Sequence, residues 1–353
     1  MKPSQKPSYI PLSPSLPLSR CGVGHPPVPP MRFHSRRSPI LSSRGIAATS
    51  QPLASDAALR VLRAGGNAAD AAVAAAASLN VLEPCMTGVG GDAFCLFYDA
   101  ASRTVRGLNG SGRSPAALDL QAAQAAARAE GGESQPLALP ADSVHCVTVP
   151  GAAAAWCDTL ALFGSGMPLA DVLQPSIELA EGGFAVAPVS ALSWRELEFQ
   201  LTRWAKKGFE HPGVAAFLPG GRAPEDGQWV TNPDLAATFR LLAEKGKAGY
   251  YSGRVAQAIV TTVQRMGGKL SLDDLARHSS DEVRPLSITY GDRVVWELPP
   301  NGQGLVALLC LAILKEKEGE LRALEHNSSG YLHLLAEALR LAFAQGAEAI
   351  ADP

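Results

Sequence analysis

The sequence of 353 residues lacks the short motifs that mark common catalytic and nucleotide-binding sites. It contains no Gly-x-Ser-x-Gly nucleophile elbow, because Asn109-Gly110-Ser111-Gly112 is without the first glycine, and it contains no Walker A sequence. The seven histidines are scattered and form no His-Glu-x-x-His pattern. Residue patterns alone therefore point to no nucleophile and no general base.

The cysteines also lack a recognisable spacing. The sequence has six of them, with no Cys-x-x-Cys pair and no zinc-type arrangement. Such cysteines are usually buried, reduced thiols, which is the prediction here. We accordingly expect no metal ion and no cofactor.

Strong charge and long apolar runs are absent as well. The formal net charge is −2, and no Lys/Arg run is interleaved with aromatic residues, which argues against a nucleic acid or an anionic membrane as partner. The longest apolar run, Leu305 to Leu314, is about half the length that a bilayer span requires. We predict that it forms a buried helix.

Acidic residues are missing from the N-terminal part of the chain, where the first is Asp56. Residues 1–30 are dominated by proline and serine, which predicts a disordered tail ahead of a domain over residues 31–353. The prolines also interrupt any apolar segment, so secretion is not expected and a cytoplasmic location is predicted. A mitochondrial presequence stays open, because the tail is basic and free of acids.

The most informative stretch lies between Thr87 and Pro115. It begins with the glycine turn Gly88, Gly90 and Gly91, which we expect to adopt positive φ and to pack closely beside a pocket. Strands are predicted over residues 93–98 and 104–108, followed by a loop that ends on Arg113. A guanidinium at this place is suited to bind a carboxylate through two parallel hydrogen bonds, although a surface arginine without a role is the alternative.

The remaining pattern alternates between helices and strands and predicts an α+β fold. Residues 45–49 and 144–149 are predicted strands, and the second contains His145, which is more typical of a core histidine than of a base. Asp70 lies in an alanine-rich helix and is predicted to be a hydrogen-bonded structural carboxylate. Further helices are predicted over residues 114–128, 152–162, 169–181, 194–206, 251–266, 305–314 and 331–345, and a strand pair over residues 287–298.

Several segments in fixed order resemble the large subunit of the γ-glutamyltranspeptidases, also called glutathione hydrolases. The sequence Asn-Gly-Ser-Gly-Arg-Ser-Pro at residues 109–115 is most similar to that of the soluble, cephalosporin-acylase-like branch of this family. The resemblance covers roughly residues 31–353. Its segments are residues 45–55, 62–76, 87–94, 109–115, 147–152, 175–184, 298–304 and 333–343.

The resemblance implies an N-terminal-nucleophile hydrolase with an αββα sandwich, made as one chain that cuts itself. It implies that Arg113 grips the α-carboxylate of a γ-glutamyl compound such as glutathione, while the glycine turn, Asn301 and Gly302 shape the pocket. In the family the nucleophile is the first residue of the small subunit, a threonine. We expect this threonine to lie beyond the C-terminus of the present sequence, so that the chain is an incomplete, inactive large-subunit portion whose partner is the small subunit.

Two other interpretations remain. Many family members have Arg-Glu where this sequence has Arg113-Ser114, so cleavage of glutaryl or β-lactam amides on the same scaffold is an alternative. The chain could also be a non-catalytic fragment that binds a homologous partner.

Overall fold

The computed structural model describes residues 38–131, 137–206 and 213–350. Within the described part, the residues from Ser43 onward belong to one unit. The tail predicted over residues 1–30 lies outside the described residues.

Helices and antiparallel strands both occur, so the α+β prediction is confirmed. The strands of the described residues are β1 (Ala93–Asp99), β2 (Thr104–Gly110), β3 (Phe184–Ala185), β4 (Trp229–Val230), β5 (Asp281–Val283), β6 (Leu286–Tyr290) and β7 (Arg293–Glu297). The helices are α1 (Pro52–Arg63), α2 (Ala68–Leu82), α3 (Leu120–Gly131), α4 (Ala152–Phe163), α5 (Leu169–Gly182), α6 (Pro188–Lys206), α7 (Val214–Phe217), α8 (Pro233–Lys245), α9 (Lys247–Tyr251), α10 (Gly253–Arg265), α11 (Leu272–Ala276), α12 (Gly304–Glu316), α13 (Glu318–Ala323) and α14 (Ser329–Ala349).

Helix α2 is the centre of the main core. Its many alanines allow close approach, and it packs against α1, α4 and α5. Asn67 and Asp70 form a capping box at its start, and Asp70 is fully buried. The Asp70 carboxylate accepts hydrogen bonds from the backbone N–H groups of Asn67 (2.8 Å) and Ser165 (3.1 Å). The predicted structural role of Asp70 is confirmed.

The principal sheet has the order β1-β2-β5 and is antiparallel throughout. Its two faces differ. Phe97 points to the helical side, where its ring stacks on Phe163 of α4 with centroids 4.9 Å apart. Phe94, Leu96 and Tyr98 point to the opposite side and are 47%, 39% and 58% exposed. We call these three side chains the open face of the sheet.

A smaller core joins the hairpin β6–β7 to α12 and α14. Val306, Cys310 and Leu314 of α12 pack against Ala338 and Ala342 of α14. The predicted buried helix over residues 305–314 is thus confirmed as one side of this cluster. Among the described residues, no helix combines the length and the apolar character needed to cross a bilayer.

Several predicted elements differ from the observed ones because of local caps. Residues 45–49 form no strand. The helix predicted from residue 114 begins six residues later, since the Asp119 carboxylate caps it by accepting from the Ala122 N–H. The predicted single helix over 251–266 is interrupted at Ser252, where the backbone is extended, and Gly253 has φ +70°. Helix α6 begins at Pro188, six residues before the predicted start.

The strand prediction around His145 is wrong. Residues Val144–Cys146 form one turn of 3-10 helix, because the Ser143 side chain accepts the His145 N–H at 3.2 Å and fixes the turn. His145 Nε2 lies 3.7 Å from the Glu130 carboxylate.

The five cysteines within the described residues are free thiols, but they are not uniformly buried. Cys310 is buried, whereas Cys146 is exposed. Burial raises the pKa of Cys85 and of Cys157 to about 11, so both thiols stay protonated near neutral pH.

Candidate functional site

The loop that carries Arg113 is built by close backbone approach at three glycines. A Cβ at Gly112 would overlap the carbonyl oxygen of Val149, and one at Gly151 would overlap the carbonyl oxygen of Gly110. A Cβ at Gly110 would overlap Ala155 of α4. Side chains at these positions would push the loop off the turn at residues 149–152, so glycine is required.

Backbone hydrogen bonds then fix the loop to its neighbours. Val149 N–H donates to the Arg113 carbonyl at 3.0 Å, and Gly151 and Ala152 both donate to the Gly91 carbonyl at 2.9 Å. The Asp92 carboxylate accepts the Gly112 N–H at 2.9 Å. The predicted glycine turn and the predicted arginine loop therefore meet on one backbone scaffold.

Asn301 joins the same loop from the far end of the sequence. Its Oδ1 accepts from Asn109 Nδ2 at 3.0 Å, and its Nδ2 donates to Ser111 Oγ at 2.6 Å. Ser111 N–H in turn donates to Asn109 Oδ1 at 2.9 Å. The structure thus brings Asn301 and the Arg113 loop together.

The Arg113 guanidinium lies at the surface and pairs with one carboxylate. Its Nη2 donates to Asp281 Oδ2 at 2.9 Å, and the side chains of Arg113 and Asp281 are 62% and 54% exposed. Asp281 reaches this position because β5 pairs with β2, which places Asp281 opposite Asn109. The Asp92 carboxylate binds the backbone next to Arg113, where it accepts the Gly112 N–H. We call Asp92, Arg113 and Asp281 the charged triad.

The glycine turn differs from the sequence expectation in its backbone. None of Gly88, Gly90 and Gly91 has positive φ, and a Cβ at Gly90 would meet nothing within 4 Å. The turn is instead held by Gly91 N–H, which donates to the Gly88 carbonyl at 3.0 Å, and by the Tyr250 hydroxyl, which donates to the Val89 carbonyl at 2.9 Å. The strict need for glycine lies at Gly110, Gly112 and Gly151.

Gly302 is also free of steric constraint, because a Cβ there would meet nothing within 4 Å. Gly304, two residues on, is the constrained one: a Cβ there would overlap the Glu297 carboxylate. The pocket-shaping role of Gly302 stays a prediction.

Residue patterns missed the two carboxylates of the charged triad. Asp92 directly follows the glycine turn, so its proximity to a ligand loop could have been suspected from the sequence. Asp281 is 168 residues from Arg113, and no local signal announces that a three-residue strand will place it there. His278 and Tyr251, which lie behind the site, were missed for the same reason.

The ring of His278 packs on that of Tyr251, with centroids 5.3 Å apart. Burial lowers the pKa of His278 from its ordinary value, the Lys247 and Arg113 charges lower it further, and the Asp158 and Asp92 charges oppose the shift. Burial likewise raises the pKa of the Tyr251 hydroxyl, which stays protonated. Both side chains are therefore neutral at pH 7.

A sizeable cavity lies among the described residues, but the charged triad does not line it. A cavity of about 690 Å³ lies between α6 and the loop at residues 219–228, and its lining includes Arg195, Arg222 and Asp226 but no member of the charged triad. Most of its charged residues are exposed. The Arg113 loop is the candidate site, because hydrogen bonds from three distant segments converge there. Among the described residues, no group of three or more His, Cys, Asp or Glu side chains is arranged to hold a metal ion.

Residues 54–353 match the sequence model of the family described as gamma-glutamyltranspeptidase. The chain belongs to this family. Two curated relatives are similar along most of its length. The glutathione hydrolase-like YwrD proenzyme of Bacillus subtilis is 35% identical over 89% of this chain and 56% of its own length. The acylase ACY 1 proenzyme of Pseudomonas sp. strain SE83 is 36% identical over 93% and 58%.

Solved structures give the same result for this gamma-glutamyltranspeptidase family chain. The cephalosporin acylase from Bacillus halodurans has a TM-score of 0.74 and 37% identity, over 91% of this chain and 59% of that one. The gamma-glutamyltranspeptidase of Helicobacter pylori has a TM-score of 0.77 and 25% identity, over 89% and 86%. The fold is that of the N-terminal-nucleophile hydrolases, as the resemblance predicted. The chain spans between half and two thirds of the length of the two curated relatives described here.

Proposed function

We propose that this chain supplies the donor-binding part of an enzyme that cleaves γ-glutamyl amides such as glutathione. In this proposal Arg113 binds the α-carboxylate of the γ-glutamyl group. The observation that carries it is the exposed Arg113 guanidinium on a loop fixed by Val149, Asp92 and Asn301. Within the described residues one side-chain hydrogen bond from Arg113 is present, to Asp281, and a guanidinium has five N–H donors. The others are available to a ligand.

The charged triad favours a γ-glutamyl over a glutaryl donor. Both groups carry a carboxylate for Arg113, but a γ-glutamyl group also carries an α-ammonium. The acid found after the arginine in many family members is replaced by Ser114, yet Asp281 and Asp92 supply carboxylates from other segments. An ammonium bound there would gain two charge-assisted contacts.

The reaction in this proposal uses the threonine implied by the family resemblance. Its hydroxyl oxygen attacks the γ-glutamyl carbonyl carbon, its own α-amine accepts the hydroxyl proton, and the proton passes to the leaving amine nitrogen as the C–N bond breaks. Water, or a second amine, then attacks the acyl ester and releases the γ-glutamyl group. We propose that this threonine belongs to the portion of the longer relatives that has no counterpart here, and both relatives are named as proenzymes.

The open face of the sheet supports a missing partner. Phe94, Leu96 and Tyr98 form an apolar surface on a strand that lies at the edge of the described sheet. Exposed apolar faces and free strand edges usually bind another segment. We propose that the small-subunit portion covers this face.

The decisive test is calorimetric titration of the purified chain with a γ-glutamyl anilide. Binding that is lost in Arg113→Gln supports the proposal, whereas equal binding by both proteins removes Arg113 from the site. In parallel, intact-mass measurement and N-terminal sequencing of the native protein should reveal a second chain that begins with threonine. A lone chain of 36.8 kDa would favour the third interpretation, a non-catalytic fragment with a homologous partner.

Acylase activity on glutaryl or β-lactam amides is the second candidate. It is favoured by the similarity to two acylases, at 36% and 37% identity. Glutaryl and γ-glutamyl anilides differ by the α-amine alone, so they form a matched pair of probes. If Asp92 and Asp281 bind the ammonium, Asp281→Asn weakens binding of the γ-glutamyl anilide more than binding of the glutaryl anilide, because the loss of the Arg113 partner affects both probes and the loss of the ammonium contact affects one. The reverse preference would favour the acylase.

The cytoplasmic location predicted from the sequence is also a proposal. Fractionation of cells that produce the tagged protein tests it, and recovery in the mitochondrial fraction would contradict it.

A further inference from the structure

His278 lies behind the charged triad and in the segment that leads into it. This residue follows α11 and precedes Asp281 by three positions. Its backbone N–H donates to the Leu275 carbonyl at 3.2 Å, which ties it to the end of the helix. The His278 side chain and the carboxylate that pairs with Arg113 therefore lie on one short segment.

The His278 ring also supports the other side of the site through Tyr251. The Tyr251 hydroxyl donates to the Pro150 carbonyl at 2.7 Å and accepts the Ala154 N–H at 3.0 Å. This fixes the turn at residues 149–152, which in turn binds the carbonyls of Arg113 and Gly91. The imidazole thus contacts the side chain that anchors the turn and lies on the segment that carries Asp281.

The polar atoms of His278 are in an unusual state. Both ring nitrogens are buried and have no hydrogen-bond partner among the described residues, and the same holds for Ser280 Oγ two residues later. A proton added to this ring would place an unpaired charge in a desolvated position, which is costly.

Four charged groups act electrostatically on the ring. Lys247 and Asp158 form an ion pair of 2.6 Å between α9 and α4, and Arg113 and Asp92 lie on the site side. The Tyr251 ring, on α9, covers one face. The two cations disfavour a positive charge on the imidazole, and the two carboxylates favour it. These surroundings do not compensate for burial, so the pKa of His278 is lowered.

We propose that His278 is a positioning residue for Arg113: as a neutral ring it holds the Tyr251-supported turn and the Asp281 segment in register, and its protonation disturbs the Arg113–Asp281 pair. This inference builds on the proposed ligand role of Arg113. Its test needs no substrate, so it is separable from the proposed function.

The experiment is an NMR titration of the 15N-labelled chain between pH 8 and 4.5, following the His278 ring and the Nε–Hε signal of Arg113. We expect His278 to titrate below pH 6.5 and the Arg113 signal to show a step with the same midpoint. The step should vanish in His278→Gln, which does not titrate. It should also vanish in His278→Phe, which keeps a ring against Tyr251. It should persist in His333→Gln, a control at an exposed histidine.

An Arg113 signal with no step at the His278 midpoint in the unaltered chain would overturn the inference, even if both variants fail to fold. So would a step that survives in a folded His278→Gln protein. An unaltered chain that binds no γ-glutamyl anilide but shows the expected step in this titration would count against the proposed function. The same result would leave His278 as the positioning residue.

Discussion

At the scale of single residues, the site depends on a cation whose neighbours come from elsewhere in the chain. Arg113 is held through its carbonyl by Val149 and through its side chain by Asp281. The loop before it exists because Gly112 and Gly151 allow two backbones to touch. Binding chemistry and backbone sterics are therefore separable here, and each can be altered without the other.

Replacing Arg113 by alanine removes the proposed partner of the donor carboxylate. In the chain combined with the proposed small-subunit portion, we expect γ-glutamyl binding to weaken by about 2–4 kcal/mol, roughly 30- to 900-fold, as a charge-assisted pair is lost. Steady-state KM and kcat measure this. Arg106→Gln is the control, because Arg106 also pairs with a β5 carboxylate, Glu282, but lies away from the triad. An equal effect of both substitutions would contradict a specific role for Arg113.

The second prediction compares a glycine of the Arg113 loop with a glycine of the glycine turn. Gly112→Ala should destabilise the chain by about 3 kcal/mol, because its Cβ would overlap the Val149 carbonyl. Gly90→Ala should be nearly neutral, because φ is not positive there and the space around a Cβ is open. Urea unfolding followed by circular dichroism compares them. Equal losses would mean that the glycine turn is as constrained as the arginine loop.

At the scale of elements, helix pairs are joined by ion pairs at the surface. Arg60 of α1 donates both guanidinium ends to Glu178 of α5, and that pairing lowers the pKa of the Glu178 carboxyl to about 2. The side chains are 51% and 46% exposed, so solvent screens the pair and its stabilising contribution is below about 1 kcal/mol.

The sign of the pH dependence follows from that lowered pKa. The folded protein keeps Glu178 ionised below the unfolded value of 4.5, so the stabilising effect is present above pH 4.5 and is lost as pH falls towards about 2. Glu178→Gln should flatten the fall of unfolding free energy over this range. Chemical unfolding at pH 5, 4 and 3 measures it, and Glu282→Gln serves as the comparison at another surface pair. An unchanged slope in Glu178→Gln would show that the pair does not contribute.

Elements with a local cause were predictable from the sequence, and those with a distant cause were not. The hairpin of β1 and β2 was predicted within two residues, because alternation and the turn at residues 99–103 lie within one short stretch. The His145 strand failed because a single serine cap outweighs a weak apolar pattern. In the site, Arg113 and Asn301 were singled out because the sequence around them resembles motifs of the family. Asp281 was not, since strand pairing across the sequence leaves no local trace.

At the scale of the whole molecule, the open face of the sheet determines how the chain behaves alone. Phe94 and Tyr98 are about half exposed on a strand at the edge of the described sheet. We expect such a surface to associate with another copy of the chain when the proposed small-subunit portion does not cover it.

The double substitution Phe94→Lys and Tyr98→Lys should therefore shift the isolated chain towards monomer. Sedimentation velocity across a concentration series is the measurement. Val294→Lys on β7, which is 51% exposed, is the matched control because it adds charge to a different hairpin. Self-association that persists in the double variant and disappears in the control would show that the open face of the sheet does not mediate self-association.

The contacts of Asn301 and Asp281 also decide when the site can form. Asn109 and Asn301 are 192 residues apart, and Arg113 and Asp281 are 168 apart. A nascent chain that has emerged as far as α10 already contains the arginine loop but neither of these supports. Loop closure over such separations is slow compared with local helix formation. The arrangement of Arg113, Asp281 and Asn301 is thus a late product of synthesis, and any premature stop before residue 281 yields a protein whose early helices are present and whose Arg113 side chain lacks both its Asp281 partner and the Asn301 support of its loop.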